Sequence, residues 1–251
     1  MIKPLAECIA LVTGASRGLG AATALALSRA GAHVVAVART VGALEDLDDA
    51  IRAIGGSATL VPLDLKDFAA LDRLGGVLNE RYRRLDILVA NAGILGPLSP
   101  LGHVDPQAWD EVMAVNVTAN FRLIRSIDPL LRLSPAGRVV FVSSGVTATA
   151  RAYWGPYAVS KAALELIART YASETSTTPI RVNVVRPGPM RTRMRAQAMP
   201  GEDPATLAGP EQVAESIVEL CLPTSTETGR LYDHHTKTLM EFASPRPIRP
   251  A

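Results

Sequence analysis

The sequence predicts an α/β protein: a doubly wound parallel sheet of about seven strands with helices on both faces, one domain over residues 1–251. Three observations predict it. Short apolar runs rich in β-branched residues alternate with longer segments of helical periodicity along most of the chain. The first run leads directly into a glycine-rich turn, and the turn into a helix rich in alanine and leucine. A later run, VVFV at 139–142, is followed at once by Ser144 and then by a helix carrying Tyr157 and Lys161, four residues apart.

Taken in order, residues 8–13 (CIALVT) form the first strand, and TGASRGLG follows with Gly14, Gly18 and Gly20. Gly14 permits the tight turn, while the later glycines let a pyrophosphate and the sheet approach the backbone. AATALALSRAG is a helix that Gly31 closes. Residues 33–38 (HVVAVA) form the second strand. A chain that binds NAD is expected to carry Asp or Glu after this strand for the ribose hydroxyls. Here Ala38 is followed by Arg39 and Thr40, with no acidic residue between Gly31 and Glu45. Arg39, with Arg17 approaching from the glycine turn, suits a 2′-phosphate and points to NADP (NADPH) over NAD. The plainer alternative makes Arg39 a solvated loop residue.

Residues 44–54 read as a helix, 58–65 (ATLVPLDL) as the third strand and 67–82 as a further helix. Asp64 either accepts a hydrogen bond from an adenine amino group or caps the segment after it, and both can hold. The fourth strand, 86–90, runs into Asn91-Ala92-Gly93, where two small residues beside an amide suit close passage of a cofactor. One long helix is expected over 106–131, with Asn116 inside VNVTAN. An asparagine in an apolar helical run is costly unless its amide is bonded. It either ties down backbone as a kink or holds a water that relays protons to Lys161.

The helix that starts at Gly155, with Pro156 in its first turn, carries the Tyr/Lys pair on one face. A sixth strand covers 180–186 and stops at Pro187-Gly188-Pro189, because proline cannot continue a ladder. Residues 189–208 mix methionines, charges and a Pro-Gly break, and read as a lid over a substrate pocket. Arg191, Arg193 and Arg195 either meet an anionic substrate there or are solvated. A last helix over 210–222 and a closing strand over 229–234 follow, then an irregular proline-rich tail at 244–251. His234 and His235 lack the spaced partners of a metal site, so they read as structural and no metal is expected.

The Tyr/Lys pair has a chemical rationale. A free phenol titrates near 10, too high for ready proton exchange at neutral pH. A lysine ammonium about 5 Å away, at an effective dielectric of about 20, favours the phenolate by roughly 3 kcal/mol, or about two pKa units. Ser144 supplies a second hydrogen bond to a substrate oxygen.

Composition bounds the rest. A chain of 251 residues that is 48% hydrophobic suits one large core, and a net charge of +2 argues against nucleic acid as the main partner. No run of eighteen apolar residues occurs, so no membrane span is expected. A strand begins within a few residues of Met1, leaving no room for a signal peptide. Cys8 and Cys221 are far apart and fit a reducing compartment, so the cytoplasm is the expected location.

These motifs together resemble the short-chain dehydrogenase/reductase family, in its branch of single-domain enzymes of about 250 residues. The likeness rests on TGASRGLG, Asp64-Leu65, Asn91-Ala92-Gly93, Asn116, Ser144, YAVSK at 157–161 and Pro187-Gly188. WGPYAVSK and PGPMRTRMR are similar to a bacterial subgroup of poorly characterised oxidoreductases. The resemblance implies a Rossmann fold and hydride transfer between a nicotinamide and a small-molecule carbonyl or alcohol. It implies Tyr157 as acid/base, Lys161 as its pKa partner and a ribose ligand, Ser144 on the substrate oxygen and Asn116 as relay. Cofactor contacts are implied at Gly14, Ser16, Arg17, Gly18, Leu19 and Gly20, at Asp64 and Leu65, and at Asn91, Ala92 and Gly93. Pro187, Gly188 and Thr192 complete the set, with Thr192 bonding the nicotinamide amide. Relatives pair through the helices at 106–131 and 156–175, which implies a homodimer or homotetramer. Ala90 stands where the family usually has the first asparagine of Asn-Asn-Ala-Gly, and DHHTKTLMEF departs from the usual Asp-Gly-Gly close. A dinucleotide-binding regulator without turnover is the alternative of a different class, but a sensor has no need of the acid. An epimerase of the longer related branch also uses Tyr-x-x-x-Lys, yet the short chain and glycine spacing disfavour it.

Overall fold

Ile9–Thr13 (β1), His33–Ala38 (β2), Ala58–Pro62 (β3), Ile87–Ala90 (β4), Arg138–Val142 (β5), Arg181–Arg186 (β6), Leu231–Asp233 (β7) and Thr238–Met240 (β8) form one sheet in the order β3-β2-β1-β4-β5-β6-β7-β8. The computed structural model describes residues 3–242, and the tail expected at 244–251 lies outside them. β1 to β7 pair in parallel and β8 joins β7 antiparallel. The sheet therefore has one strand more than the sequence suggested. The extra strand is three residues long, mostly exposed and at the edge, too short for an apolar run to announce it. The central strands are buried on both faces, as their Val, Leu and Ala runs require.

The helices are Gly18–Arg29 (α1), Val41–Ala53 (α2), Phe68–Tyr82 (α3), Pro106–Met113 (α4), Ala119–Leu131 (α5), Val146–Thr149 (α6), Gly155–Glu174 (α7), Arg193–Ala198 (α8) and Pro210–Cys221 (α9). Val12, Val34, Ala36, Val89 and Val140 face Leu27 of α1, Leu44 and Ile51 of α2, and Ile217 of α9. The alternate residues Leu11, Val35, Leu88, Phe141 and Val182 face Leu74 of α3, Ile127 of α5 and Leu164 of α7. Period-two alternation along each strand thus feeds two helical layers.

Several boundaries differ from the sequence reading, each for a local reason. The helix expected over 106–131 is interrupted at Ala114–Thr118 by a π-turn, a wide turn around Asn116. The cap of α3 is Asp67, whose carboxylate accepts from Ala70 N at 2.9 Å. Asp64 is therefore not a helix cap: its Oδ1 accepts from Lys66 N at 2.9 Å and turns the chain before the helix begins. That turn also ends β3 at Pro62, three residues early. α1 starts at Gly18, inside the glycine turn, and Gly31 follows its last residues at φ +109°. His234 is buried, bonded to Ser216 Oγ at 3.0 Å, while His235 is exposed. Among the described residues no cluster of His, Cys, Asp or Glu could hold a metal. None of their helices is long and apolar enough to cross a membrane.

Candidate active site

β1 runs to β2 on one side, and the chain later returns to place β4 on the other side of β1. Above such a reversal, at the carboxyl ends of the strands, neighbouring loops part and leave a crevice. Here the crevice is a cavity of about 1200 Å³, bounded by the glycine turn, the loops after β2, β3 and β4, the end of β5 and the segment after β6.

The glycine turn is shaped by contact. Gly14 adopts φ +67°, and a Cβ there would lie 3.0 Å from both the Ala92 Cα and the Asn91 amide nitrogen. A Cβ at Gly20 would overlap the Gly14 carbonyl oxygen. Asn91 fastens the turn to β4: its Nδ2 donates to Thr13 O at 2.9 Å, and Thr13 Oγ1 accepts from Asn91 N and Ala92 N at 3.1 Å. Thr13, overlooked in the sequence, thus bridges two cofactor loops; a polar side chain ending an apolar strand was its only signal. Ala90, where the family has asparagine, is buried in β4, and Asn91 does the bracing.

Ser16, Arg17, Gly18, Leu19, Arg39, Asp64, Leu65, Asn91, Ala92, Gly93, Tyr157, Lys161, Pro187 and Thr192 all line the cavity. Gly20 lies under the turn; Gly188, Asn116 and Ser144 do not line the cavity. Arg17 and Arg39 are exposed at one end. The Arg39 guanidinium stands 3.8 Å from the Asp64 carboxylate, a solvent-exposed pair of the kind that contributes about 0–1 kcal/mol. The turn with its close backbone approaches, and two exposed guanidiniums beyond it, fit a dinucleotide carrying an extra phosphate.

At the other end stand Tyr157 and Lys161, with Ser144 near the phenol but outside the cavity lining. Tyr157 is 7% exposed and Lys161 3%. Pro156 in the first turn of α7 and the four-residue spacing bring phenol and ammonium to the same wall. Lys161 Nζ donates to Val142 O at 2.7 Å and lies 5.8 Å from the Tyr157 ring centroid. Ser144 is close enough to the phenol to favour its ionised form. Burial pushes the Tyr157 pKa up, and Ser144 draws it only partly back. This departs from the sequence argument, in which Lys161 lowers the phenol: loss of water dominates, and the opposing effect comes from Ser144. The lysine bears the same penalty. Burial lowers its pKa to about 8, against a smaller opposing pull from Glu165.

Asn116 is fully buried. Its Oδ1 accepts from Ile94 N at 2.8 Å, and its Nδ2 donates to Ile94 O and Ser160 Oγ, each at 2.9 Å. The π-turn points this amide at the loop after β4 and ties that loop to α7. A Cβ on Gly93 would stand 3.3 Å from Asn116 Oδ1 and 3.4 Å from Lys161 Nζ.

Around Tyr157 the wall is apolar: Leu95, Val146 and Ala198 are buried there, with Trp154, Met194 and Met199 packed against them. Thr192 caps α8, accepting from Arg195 N at 3.2 Å, and its Cγ2 would stand 3.5 Å from a Cβ on Gly18. Of the three arginines, Arg191 and Arg193 are exposed at the cavity, and Arg195 is paired within its own segment to Glu202. Neither sequence alternative for Arg195 anticipated that partner.

Comparison with known proteins follows this geometry. The sequence pattern described as "short chain dehydrogenase" matches residues 8–203. The "uncharacterized oxidoreductase YciK" of Escherichia coli (strain K12) is 40% identical over 233 residues, covering 91% of this chain and 92% of that protein. A solved structure from Shigella flexneri 2a str. 301, complexed with NADP, superposes with a TM-score of 0.90 at 36% identity, over 94% of this chain and 100% of the other. Another, from Escherichia coli CFT073 and complexed with NADPH, gives 0.87 at 37% identity, over 93% and 99%. A match of this extent, on a fold and crevice of this form, means that the chain belongs to the short-chain dehydrogenase family of NAD(P)-dependent oxidoreductases.

Proposed function

We propose that this enzyme is NADP(H)-dependent and interconverts a carbonyl and the matching alcohol, with Tyr157 as general acid and base. The observation that carries the reading is the meeting of Tyr157 and Lys161 where β5 and α7 reach the cavity, with Ser144 near the phenol behind the cavity lining. The bound nicotinamide supplies the hydride in reduction and receives it in oxidation. Tyr157, with its pKa raised by burial, keeps its proton at neutral pH and passes it to the carbonyl oxygen as the alcohol forms. Ser144 holds that oxygen against the phenol. Lys161 balances the charge of the phenolate left behind and offers N–H donors to ribose hydroxyls.

Asn116 braces the loop after β4, since its amide is committed to Ile94 and Ser160; a relay role falls to its main-chain oxygen, which already accepts from Asn120 Nδ2 at 2.9 Å. Pro187 and Thr192 form the nicotinamide edge, with Gly188 turning the chain between them at φ +74°, and residues 189–208 cover the substrate side. Arg17 and Arg39 read the 2′-phosphate, a reading favoured by the missing acid after β2 and by the relatives complexed with NADP and NADPH. Phe121 of α5 and Val159 and Leu166 of α7 are exposed, which supports a homodimer or homotetramer through those helices. The test of function is a panel of carbonyl compounds with NADPH, followed at the nicotinamide absorbance. Turnover with any class identifies the reaction, and none across aldehydes, ketones and their alcohols would overturn it.

A further inference from the structure

One turn beyond Lys161 on α7 stands Glu165, a carboxylate whose side chain is only 12% exposed. Its Oε1 accepts from Ser143 Oγ at 2.6 Å and from Thr147 Oγ1 at 2.9 Å. Those residues flank Ser144 at positions −1 and +3, so a single oxygen holds both ends of the turn that carries it. Thr147 Oγ1 in turn accepts from Arg186 Nη2 at 3.1 Å. Arg186, on β6, faces Glu165 at 3.6 Å and Asp233 of β7 at 3.9 Å. The charged and titratable groups around Glu165 are thus Lys161 on its own helix, Arg186 on β6 and, behind it, Asp233 on β7. A carboxylate in such a place loses hydration, and two hydroxyl donors with a guanidinium nearby offset part of that loss.

We propose that Glu165 is a positioning residue of the reaction: its carboxylate clamps the Ser144 turn to α7 and thereby sets the distance between the Ser144 hydroxyl and the Tyr157 phenol. The inference rests on the proposed roles of Ser144 and Tyr157. The Ser144 hydroxyl itself makes only a long 3.4 Å bond, from Val146 N; its carbonyl is held from within the turn, by Thr147 Oγ1 at 3.0 Å and Thr147 N at 3.3 Å, so Glu165 is what fastens that turn to α7. Without the clamp, the turn is free to shift by the ångström that separates a productive hydrogen bond from none. The carboxylate also favours the charged form of Lys161, which gives the clamp a second signature in the pH profile.

The test uses the full chain with NADPH and a substrate found in the carbonyl panel. Glu165→Ala is expected to lower kcat by about 10- to 100-fold, as a small misplacement does, with the Kd for NADPH within about threefold of wild type. Glu165→Gln keeps an oxygen for both hydroxyls, so its kcat near pH 6.5 should return to within about threefold of wild type, while its alkaline limb moves to lower pH. Glu165→Ala also leaves Arg186 with Asp233 alone and lowers Tm, so a second route is needed. Ser143→Ala/Thr147→Val removes the donors instead, and should reproduce most of the kcat loss. Adding Glu165→Ala to that pair should cost little more. Full kcat in Glu165→Ala or in the Ser143/Thr147 pair, or losses that simply add, would overturn the clamp. A Tyr157→Phe control separates the two levels: if it keeps turnover the catalytic reading has failed, whereas if it is inactive and Glu165→Ala is not, only the clamp has.

Discussion

The Lys161 ammonium donates to the main-chain carbonyl of Val142 at 2.7 Å, joining the last residue of β5 to the second turn of α7. The bond offsets part of what burial costs the ammonium, and it sets where a hydroxyl must arrive to share the remaining N–H donors.

Loss of the proton donor should separate chemistry from binding. Tyr157→Phe is expected to lower kcat by at least about 100-fold and to leave the Kd for NADPH within a few-fold, because the phenol is asked only for its proton. Steady-state rates together with NADPH fluorescence titration check both halves. Turnover within a few-fold of wild type would remove Tyr157 from the mechanism.

Lys161 makes stability depend on pH in a definite direction. Its pKa is about 8 in the folded protein, against 10.5 for an ordinary lysine. Between these values the unfolded chain binds more protons than the native one. Its contribution therefore improves as pH rises through that window and is lost as pH falls through about 8. The unfolding free energy of wild type minus that of Lys161→Met should climb by up to about 3 kcal/mol from pH 7 to pH 10.5, at 1.36 kcal/mol per unit. Denaturant titrations of the ligand-free protein across that range measure it, and a flat difference contradicts the assignment.

Cofactor choice tests the arginines. Charge-assisted bonds to a phosphate contribute roughly 1.5–3 kcal/mol each, and two exposed arginines on one phosphate do not add fully. A preference for NADPH over NADH of about 3 kcal/mol, or roughly a hundredfold, is expected. Ala38→Asp with Arg39→Gln should repel the phosphate and offer an acceptor to the ribose, reversing the order. Equal Kd values for both cofactors in the wild type would mean that Arg17 and Arg39 do not read the phosphate.

Assembly has its own measurement. Phe121, Val159 and Leu166 are exposed on α5 and α7, and a charge placed there should weaken pairing through those helices. Light scattering at micromolar concentration should give a dimer or tetramer for wild type, and a smaller species for Phe121→Glu/Leu166→Glu. A monomeric wild type would refute this arrangement.

Much of this was legible in sequence because the signals were local. A strand, a glycine turn and a helix must follow one another in the chain for the turn to work, so Gly14, Gly18 and Gly20 announce themselves. The Tyr157/Lys161 spacing is likewise a property of one helix. What escaped depends on contacts between distant segments. Glu165 lies in KAALELIA as an acid among apolar residues, but its partners Ser143, Thr147 and Arg186 come from two other stretches. The Arg195–Glu202 pair required a helix, α8, that the methionines and the Pro-Gly break had disguised as loop. The Tyr157 pKa was misjudged in sign because a spacing reports the neighbour but not the loss of water.

The wide turn at Ala114–Thr118 also governs the angular phase of all that follows it. Each residue of an α-helix advances by about 100°, so the length of chain between α4 and α5 decides which way Leu123, Ile127 and Leu130 point. Shortening the turn by one residue would restore regular winding, yet would rotate those side chains off the sheet by more than a quarter of a revolution. The extra residue is thus a register key: it lets one continuous rod turn Asn116 toward the loop after β4 and, farther along, an apolar stripe toward the core.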